Sequence, residues 1–317
     1  MPARSTLSSA TTVVFPGQGS QRAGMGRDFA DRFAASRLAY EEGSEALGLD
    51  LAGLCFEEDP RLSLTEYAQP AILVTEIAML RGLTEAFGFE ARRFGGHSLG
   101  EYTALVAAGA LPLASAVRIV RERGRLMQQA VPVGQGRMLA VIGRELDVVV
   151  VERAIAGLTV TVANDNSPEQ VVLSGLADDV AAAEDRLASD AGLRLVPLDV
   201  SAPFHSPLMA RIEPAFAGVL QSFDGWDASR APAVTSNLTG GFHDADPVTL
   251  RARLVHQISG TVRWRSNMTA LAGGTSRIVE VGPGRPLRGF FKAVGVSVES
   301  VTDVRAATRA FAAEAAA

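Results

Sequence analysis

Cysteine is almost absent from the sequence, because Cys55 is the only one among 317 residues. A single cysteine excludes an internal disulfide and favours a reducing compartment. The chain also lacks any apolar run of the roughly 18 residues that a membrane span requires. Its first twelve residues are small and polar, without the apolar segment of a secretion signal, so we predict a frayed N-terminal tail. These absences predict a cytoplasmic protein without a membrane partner.

Metal-binding patterns are missing as well. The four histidines are scattered along the chain, and neither a CxxC nor an HExxH motif occurs. We therefore expect no metal and no bound cofactor. The sequence has no internal repeat, which excludes solenoid architectures. We also expect no nucleic-acid partner and a monomeric protein.

The charge of the chain is unevenly distributed. With 317 residues, 47% of them hydrophobic, the chain is large enough for a substantial core and one extra subdomain. Its formal net charge is −5, yet the segment from Arg251 onward has ten basic and four acidic residues. That segment therefore carries +6 and the rest −11. Solvated arginines explain the difference most simply. The functional alternative is that the basic segment binds an acidic partner.

The clearest motif is the sequence GHSLG at residues 96–100. Its G-x-S-x-G spacing is typical of a nucleophile elbow, in which a serine occupies a sharp turn between a strand and a helix. The glycines allow the backbone to pass its neighbours closely in such a turn. The motif predicts Ser98 as a nucleophile, although a five-residue pattern alone is a weak signal. The preceding strand is predicted to be short and to begin near Phe94.

The order of predicted elements indicates an α/β protein with an insertion. A buried strand at residues 12–15 leads into a glycine-rich loop, PGQGSQ, and a helix is predicted over residues 70–87. After residue 132 the pattern becomes βαββαβ, as in a ferredoxin-like unit. It comprises strands at 138–142, 158–163, 170–174 and 193–198, with helices at 146–156 and 177–188. We therefore predict a hydrolase-like core with a parallel sheet, residues 1–133 and 201–317, and a ferredoxin-like small subdomain, residues 134–200. A strand at 276–281 and a frayed helix at 306–317 complete the prediction.

A serine nucleophile needs a base, and the four histidines are the candidates. His97 adjoins the elbow serine, and neighbouring side chains at a tight turn point apart. His243 lies in a sequence typical of a surface loop, where a solvated histidine is the expected case, and His256 is ambiguous. His205 follows the predicted insertion in a loop, so we rank it first. Asp199 is the nearest preceding acid, but nothing marks it as a triad member.

Arg123 is the second unusual residue. A helix over residues 115–129 would have an apolar face made of Ala116, Ile119, Val120, Leu126 and Met127. At 100° per residue, Arg123 falls in the middle of that face. A buried guanidinium is costly unless it is paired. It could form a structural ion pair, extend its head to solvent, or bind a substrate carboxylate through a bidentate contact.

Seven motifs together resemble one family. They are FPGQGSQ at 15–21, QP at 69–70, GHSLGE at 96–101, RG at 123–124, NDNSPEQ at 164–170, PFHS at 203–206 and EVGPG at 280–284. In order and spacing the chain resembles the malonyl-CoA:acyl carrier protein transacylases and the related polyketide synthase acyltransferases. The resemblance covers nearly the whole chain. It also implies a hydrolase-like α/β core with a ferredoxin-like insertion.

The resemblance implies a ping-pong transfer through a serine ester. Ser98 would accept malonyl from coenzyme A and pass it to the phosphopantetheine thiol of an acyl carrier protein, with His205 as general base and acid. Backbone N–H groups of Gln18 and Leu99 would form the oxyanion hole, and Arg123 would pair with the malonyl carboxylate. A backbone carbonyl near Gln257 would orient the histidine. The further substrate-binding residues implied are Gln69, Asn166 and Gln257.

The sequence leaves several alternatives open. The chain could serve fatty-acid synthesis or load a polyketide synthase in trans, and the acyl group could be malonyl or a C2-substituted malonyl. Phe204, a bulky neighbour of the base, fits malonyl. A serine esterase or thioesterase is the runner-up, although its substrate would give Arg123 no carboxylate. A catalytically inactive carrier-binding module is disfavoured by the serine and histidine. For docking an acidic carrier protein, the candidates are Arg194, Arg285 and Arg288.

Overall fold

The computed structural model describes residues 11–200 and 202–311. The elements before the insertion are β1 (Thr11–Phe15), α1 (Arg27–Arg32), α2 (Ala34–Leu47), α3 (Leu51–Phe56), α4 (Thr65–Phe87), β2 (Arg93–Gly96), α5 (Gly100–Ala107) and α6 (Leu113–Gln129). Those of the insertion are β3 (Gly136–Gly143), α7 (Val148–Ile155), β4 (Val160–Ser167), β5 (Gln170–Leu176), α8 (Ala177–Leu187) and β6 (Leu193–Pro197). The remainder are α9 (Glu213–Gln221), α10 (Pro247–His256), α11 (Trp264–Ala272), β7 (Arg277–Val281), α12 (Pro286–Ala293), β8 (Glu299–Val301) and α13 (Val304–Phe311), and three short 3₁₀ helices span Pro60–Ser63, Pro207–Ile212 and Ala228–Ala233.

A parallel sheet of four strands, in the order β2-β1-β7-β8, forms the centre of the larger part. Helices cover the sheet, and β1 is the apolar run expected of a covered strand: it contributes Val13, Val14 and Phe15, all fully buried. Because the strands are parallel, the loops after their carboxyl ends meet along one edge. The glycine-rich loop after β1, the elbow after β2 and the loop after β7 therefore lie close together.

The insertion forms a second, antiparallel sheet in the order β4-β5-β3-β6. Its elements follow each other as strand, helix, strand, strand, helix, strand, as the periodicity predicts. The sheet and its two helices enclose a separate apolar core that includes Leu139, Val141, Val151, Leu173 and Val180. The helix ends differ from the prediction by a residue or two. For example, α7 begins at Val148 because the Asp147 side chain accepts the N–H of Val149 and caps it.

A short segment before α11 joins the two sheets. Val262 pairs with β4 through two backbone hydrogen bonds, from Asp165 N to Val262 O at 3.0 Å and from Val262 N to Ala163 O at 2.8 Å. An ion pair of 2.6 Å between Arg265 and Asp165 lies beside them. The register between β4 and β5 shifts on both sides of this contact, between Val162 and Asn164 and between Asp165 and Ser167.

Four predicted boundaries are wrong. The strand predicted at 158–163 is β4, which continues four residues further, to Ser167. The helix predicted to start at Pro70 begins five residues earlier, because the Thr65 N–H donates to Gln128 Oε1 of α6, a tertiary contact that local sequence does not reveal. Thr11 and Thr12 belong to β1, and the rest of the predicted N-terminal tail lies outside the described residues. The last helix begins at Val304, and the end of its predicted range also lies outside them. Within the described ranges, every helix is too short or too polar to span a lipid bilayer.

Candidate active site

Ser98 lies at the sharp turn between β2 and α5, with a positive φ of 53°. The two flanking glycines are required by sterics. A Cβ atom on Gly96 would collide with the carbonyl group of Gly100, and one on Gly100 would collide with the carbonyl oxygen of Phe15. The turn is therefore as tight as the G-x-S-x-G spacing predicts, and it presents the serine hydroxyl at the carboxyl edge of the sheet.

His205 lies next to the serine. Its Nε2 is 2.7 Å from Ser98 Oγ, and its Nδ1–H donates to the backbone carbonyl of Gln257 at 2.8 Å. That bond fixes the tautomer in which Nε2 has a free lone pair. Burial, and next the positive charge of Arg123, lower the pKa of His205 to about 3. The imidazole is thus neutral at ordinary pH and placed to accept the serine proton.

The guanidinium of Arg123 is buried beside the same hydroxyl. It donates to Gln69 Oε1 at 3.0 Å, to Gln257 Oε1 at 2.8 Å and to Ser98 Oγ at 3.2 Å, and it lies over the Tyr102 ring at 5.4 Å. All three acceptors are neutral. The structural ion pair and the solvent-reaching side chain considered above are therefore both wrong for the described part of the chain. Burial lowers the pKa of Arg123, yet an arginine remains charged at neutral pH.

The glycine-rich loop lies against the elbow. A Cβ atom on Gly17 would collide with the carbonyl oxygen of His97, so only glycine permits this approach. The N–H groups of Gln18, in the loop, and Leu99, after the serine, donate to no acceptor within residues 11–200 and 202–311. Free donors on both sides of a nucleophile are what an oxyanion hole requires, and this role stays a prediction.

A cavity of about 360 Å³ opens in front of Ser98, between the two sheets. Its polar wall has the side chains of Gln18, Gln69, Arg123, Asn166 and Gln170, and its apolar wall those of Met127, Met138, Val172, Leu198 and Phe204. Asn166, on β4, accepts the N–H of His97 Nε2 through its Oδ1 at 2.7 Å, while its Nδ2 donates to Gln170 Oε1. The structure thus brings the predicted side chains of both parts to one cavity, and Gln257 lies immediately behind it.

Two histidines differ in their surroundings. His243 was predicted to be solvated, which is wrong: it is 3% exposed, and its Nε2–H donates to Glu101 Oε1 at 2.8 Å. His256 is exposed at the end of α10, 3.1 Å from Glu213, and lies outside the cavity. Sequence analysis missed Glu101, whose only signal is its place directly after the elbow motif, and it missed Asn237, which has no local signal.

The three candidate docking residues are exposed. Arg285 immediately precedes α12 and Arg288 lies in its first turn, close to the glycine-rich loop, because Gly284 packs beside Ser20. Arg194 lies on β6, an edge strand of the antiparallel sheet. Within the described ranges none of the three forms an ion pair, and no cluster of histidine, cysteine or acidic side chains could hold a metal there. Their role in docking stays a prediction.

Comparison with known proteins assigns the family. The profile of the acyl transferase domain matches residues 12–307. The chain belongs to the acyl transferase domain family. It is 38% identical over 299 residues to a malonyl CoA-acyl carrier protein transacylase of Bacillus subtilis, covering 92% of this chain and 93% of that protein.

Solved structures of family members have the same fold. The malonyl-CoA:acyl carrier protein transacylase of Xanthomonas oryzae superposes with a TM-score of 0.89 at 38% identity, over 96% of this chain and 98% of that one. A malonyl-transacylase solved in complex with a type II polyketide synthase acyl-carrier protein superposes with a TM-score of 0.87 at 35% identity, over 96% and 100%. The mixed α/β architecture, with one parallel and one antiparallel sheet, is therefore that of the family.

Proposed function

We propose that this protein transfers a malonyl group from malonyl-CoA to the phosphopantetheine thiol of an acyl carrier protein. The observation that carries the proposal is the buried guanidinium of Arg123, which has three neutral partners and lies 3.2 Å from the hydroxyl of Ser98. A buried cation that no carboxylate contacts directly is unfavourable. A substrate carboxylate, arriving with the acyl group that Ser98 accepts, would supply the missing charge through a bidentate contact.

The first half-reaction forms a serine ester. His205 Nε2 takes the proton of Ser98 Oγ as the oxygen attacks the thioester carbonyl carbon, so an O–C bond forms. The carbonyl oxygen becomes an oxyanion, bound by the N–H groups of Gln18 and Leu99. When the intermediate collapses, the C–S bond breaks, and His205 gives its proton to the leaving sulfur. Coenzyme A departs as the thiol, and malonyl remains on Ser98.

The second half-reaction repeats these steps with a different thiol. His205 takes the proton of the phosphopantetheine thiol, whose sulfur attacks the ester carbonyl carbon. A C–S bond forms, the C–O bond to Ser98 breaks, and His205 returns the proton to Ser98 Oγ. Arg123 holds the malonyl carboxylate throughout, with Gln69 and Gln257 keeping the guanidinium in place. No cofactor takes part in these steps.

We also infer the finer architecture and context. Residues 134–200 form a ferredoxin-like small subdomain, and residues 1–133 and 201–317 form a hydrolase-like core. The strand order β4-β5-β3-β6 supports the ferredoxin-like assignment. The protein acts as a monomer in the cytoplasm. Its acidic carrier docks on Arg194, Arg285 and Arg288, and the relative solved with its acyl-carrier protein supports such a partner.

One experiment tests the function. The protein is incubated with radiolabelled malonyl-CoA alone, with a fatty-acid carrier protein, and with a polyketide carrier protein. We expect label on the carrier and little free malonate. Rapid release of malonate without transfer would instead indicate a thioesterase. A parallel series with methylmalonyl-CoA distinguishes malonyl from substituted malonyl, and the preferred carrier distinguishes fatty-acid from polyketide synthesis.

A further inference from the structure

Behind the elbow lies a carboxylate that does not contact the cavity. Glu101 belongs to the first turn of α5, three positions after Ser98, and its side chain is fully buried. Its Oε1 accepts the N–H of His243 Nε2 at 2.8 Å. Its Oε2 accepts two further bonds, from the backbone N–H of Asn237 at 2.9 Å and from Gln257 Nε2 at 2.8 Å. Three donors from distant parts of the chain thus converge on one carboxylate.

Asn237 connects this carboxylate to the turn. Its side-chain Oδ1 accepts the N–H of Ser98 at 2.9 Å, and its Nδ2 donates to the carbonyl oxygen of Gly96 at 2.7 Å. One amide therefore holds both sides of the elbow. The backbone of this buried residue has two anchors: its N–H donates to Glu101 and its carbonyl accepts the N–H of Arg263.

Gln257 connects the carboxylate to the other reacting groups. Its Nε2 donates to Glu101 and to the carbonyl oxygen of Ser98, the latter at 3.0 Å. Its Oε1 accepts from Arg123, and its backbone carbonyl accepts the Nδ1–H of His205. The side-chain amide cannot be reversed, since reversal would direct the NH₂ group at the guanidinium and the oxygen at the carboxylate. Glu101 thereby fixes the orientation of the residue that holds both His205 and Arg123.

We propose that Glu101 is a positioning residue that serves this active site in place of the acid of a serine triad, acting through Gln257 and Asn237. In a triad, the acid bonds to the histidine directly, orients it, and offsets the charge it acquires. Here the Gln257 carbonyl orients His205, while Glu101 holds the Gln257 side chain and supplies negative charge near Arg123. The inference deepens the proposed function and rests on it.

The test variant is Glu101→Gln. It keeps the size of the side chain but removes the charge and directs an NH₂ group at one of three donors. Active sites are counted by exhaustive labelling of Ser98 with a fluorophosphonate, and kcat is expressed per labelled site. We expect kcat to fall by about 10–100-fold, as when a hydrogen-bond partner that orients a metal ligand is removed, because Glu101 likewise acts through an intermediate residue. The KM for malonyl-CoA should change little, since Arg123 keeps Gln69.

Three further variants make the comparison specific. Glu101→Asp keeps the charge with a shorter reach and should restore part of the rate. His243→Gln keeps a donor for Oε1 and should stay close to the wild-type rate. Glu76→Gln is the matched control. Glu76 is also buried and bonded to α5 through Thr103, but it bonds to neither Gln257 nor Asn237. Burial raises its pKa well above the usual value and so favours the neutral acid, and glutamine there should leave kcat per labelled site close to the wild-type value.

The outcomes separate the alternatives. A folded Glu101→Gln protein with wild-type kcat per labelled site would overturn the proposal, as would a loss explained by fewer active sites alone. If that variant fails to fold, a wild-type kcat per site in Glu101→Asp would overturn it equally. Phosphonylation of Ser98 involves no malonyl group, so its rate constant can be measured whether or not the protein transfers malonyl. A wild-type protein that does not transfer malonyl would refute the proposed function, while slow phosphonylation of Glu101→Gln would still support the positioning role.

Discussion

Ser98 and His205 share an unusual backbone conformation as well as a hydrogen bond. Their φ angles are 53° and 55°, and Ser98 Oγ lies 2.7 Å from His205 Nε2. Non-glycine residues rarely occupy this region, at a cost of about 1–3 kcal/mol each. Among the described residues, only Glu145 shares it. Bonds to Asn237 and Gln257 hold the two in place, so the strain is concentrated where the two side chains must meet.

The first prediction concerns the ester. Intact mass after brief exposure to malonyl-CoA should show one malonyl adduct, which Ser98→Ala should abolish because the attacking oxygen is missing. His205→Ala should slow adduct formation by about 10²–10⁴-fold, the usual effect of a lost general base. His256→Ala serves as the control, since His256 is exposed outside the cavity, and should form the adduct at the wild-type rate. An adduct in Ser98→Ala would place the nucleophile elsewhere.

The second prediction concerns the turn. Gly100→Ala forces a methyl group against the carbonyl oxygen of Phe15, so the free energy of unfolding should fall by about 1–3 kcal/mol or more, and acylation should be lost. Gly218→Ala is the control. Gly218 lies on the exposed side of α9 with open space around it. Alanine there should raise the free energy of unfolding by about 0.5–1 kcal/mol. Urea unfolding measures both, and equal effects would contradict the steric argument.

The sequence could predict the parts of the site that depend on local pattern. The elbow at Ser98 follows from glycine spacing, and the burial of Arg123 follows from helical periodicity, because both signals lie within a few residues. Local pattern could not predict the neutral partners of Arg123, since Gln69 and Gln257 lie 54 and 134 positions away; only the family resemblance named these two as binding residues. The residues next to Arg123 in the sequence do not indicate such contacts.

For His243, the prediction from the local sequence is wrong. Its neighbours are typical of a surface loop, yet the backbone there turns inward and the imidazole meets a carboxylate 142 positions away. A buried hydrogen bond between a histidine and a carboxylate is decided by tertiary packing and leaves no periodic pattern. In contrast, most strands were predictable to within a residue or two, because alternation and apolar runs reflect burial directly. The exceptions are β4, which extends four residues beyond its predicted end to Ser167, and the three-residue β8, which was not predicted.

The third prediction concerns acyl selection. Arg123→Ala removes a charge-assisted contact of about 1.5–3 kcal/mol, so kcat/KM for malonyl-CoA should fall at least about tenfold. Transfer from acetyl-CoA should be unchanged or faster, since an unpaired buried cation is removed. Arg125→Ala is the control, because Arg125 lies on the outer side of the same helix, paired with Glu122. Equal losses with both thioesters would make Arg123 a structural residue.

The fourth prediction concerns pH. Since burial and the charge of Arg123 lower the pKa of His205 to about 3, the imidazole stays a neutral base well below the usual value of about 6.5. The rate constant of Ser98 phosphonylation should therefore be nearly constant from pH 8 to about 5. A decline with a midpoint near 6.5 would contradict the buried, neutral histidine.

The same shift affects stability. Below about pH 6.5 the unfolded chain protonates this histidine while the folded protein does not. Its contribution to the free energy of unfolding is therefore present above that pH and is lost as the pH falls toward 3. In urea unfolding, the free energy of unfolding of His205→Gln should decline less between pH 6.5 and 4 than that of the wild type. An equal decline would exclude His205 as a cause of the pH dependence.

The fifth prediction concerns the carrier protein. Arg285 and Arg288 lie exposed beside the glycine-rich loop, at the carboxyl edge of the parallel sheet where the cavity opens. Contacts between such residues and an acidic partner act mainly on the encounter rate and are screened by salt. The double variant Arg285→Glu with Arg288→Glu should raise the KM for the carrier and leave acylation of Ser98 by malonyl-CoA nearly intact.

The matched control reverses the same number of charges at the opposite edge of the sheet. Arg92 precedes β2 and Arg309 lies in α13, both exposed and remote from the elbow. Arg92→Glu with Arg309→Glu should leave the carrier KM close to wild type, which separates a docking surface from a general effect of net charge. Wild-type transfer to the carrier should also slow as salt increases, while transfer to free pantetheine should not. If both double variants raise the KM equally, or if reversal at Arg285 and Arg288 impairs acylation of Ser98 to the same extent, these arginines do not form the docking surface.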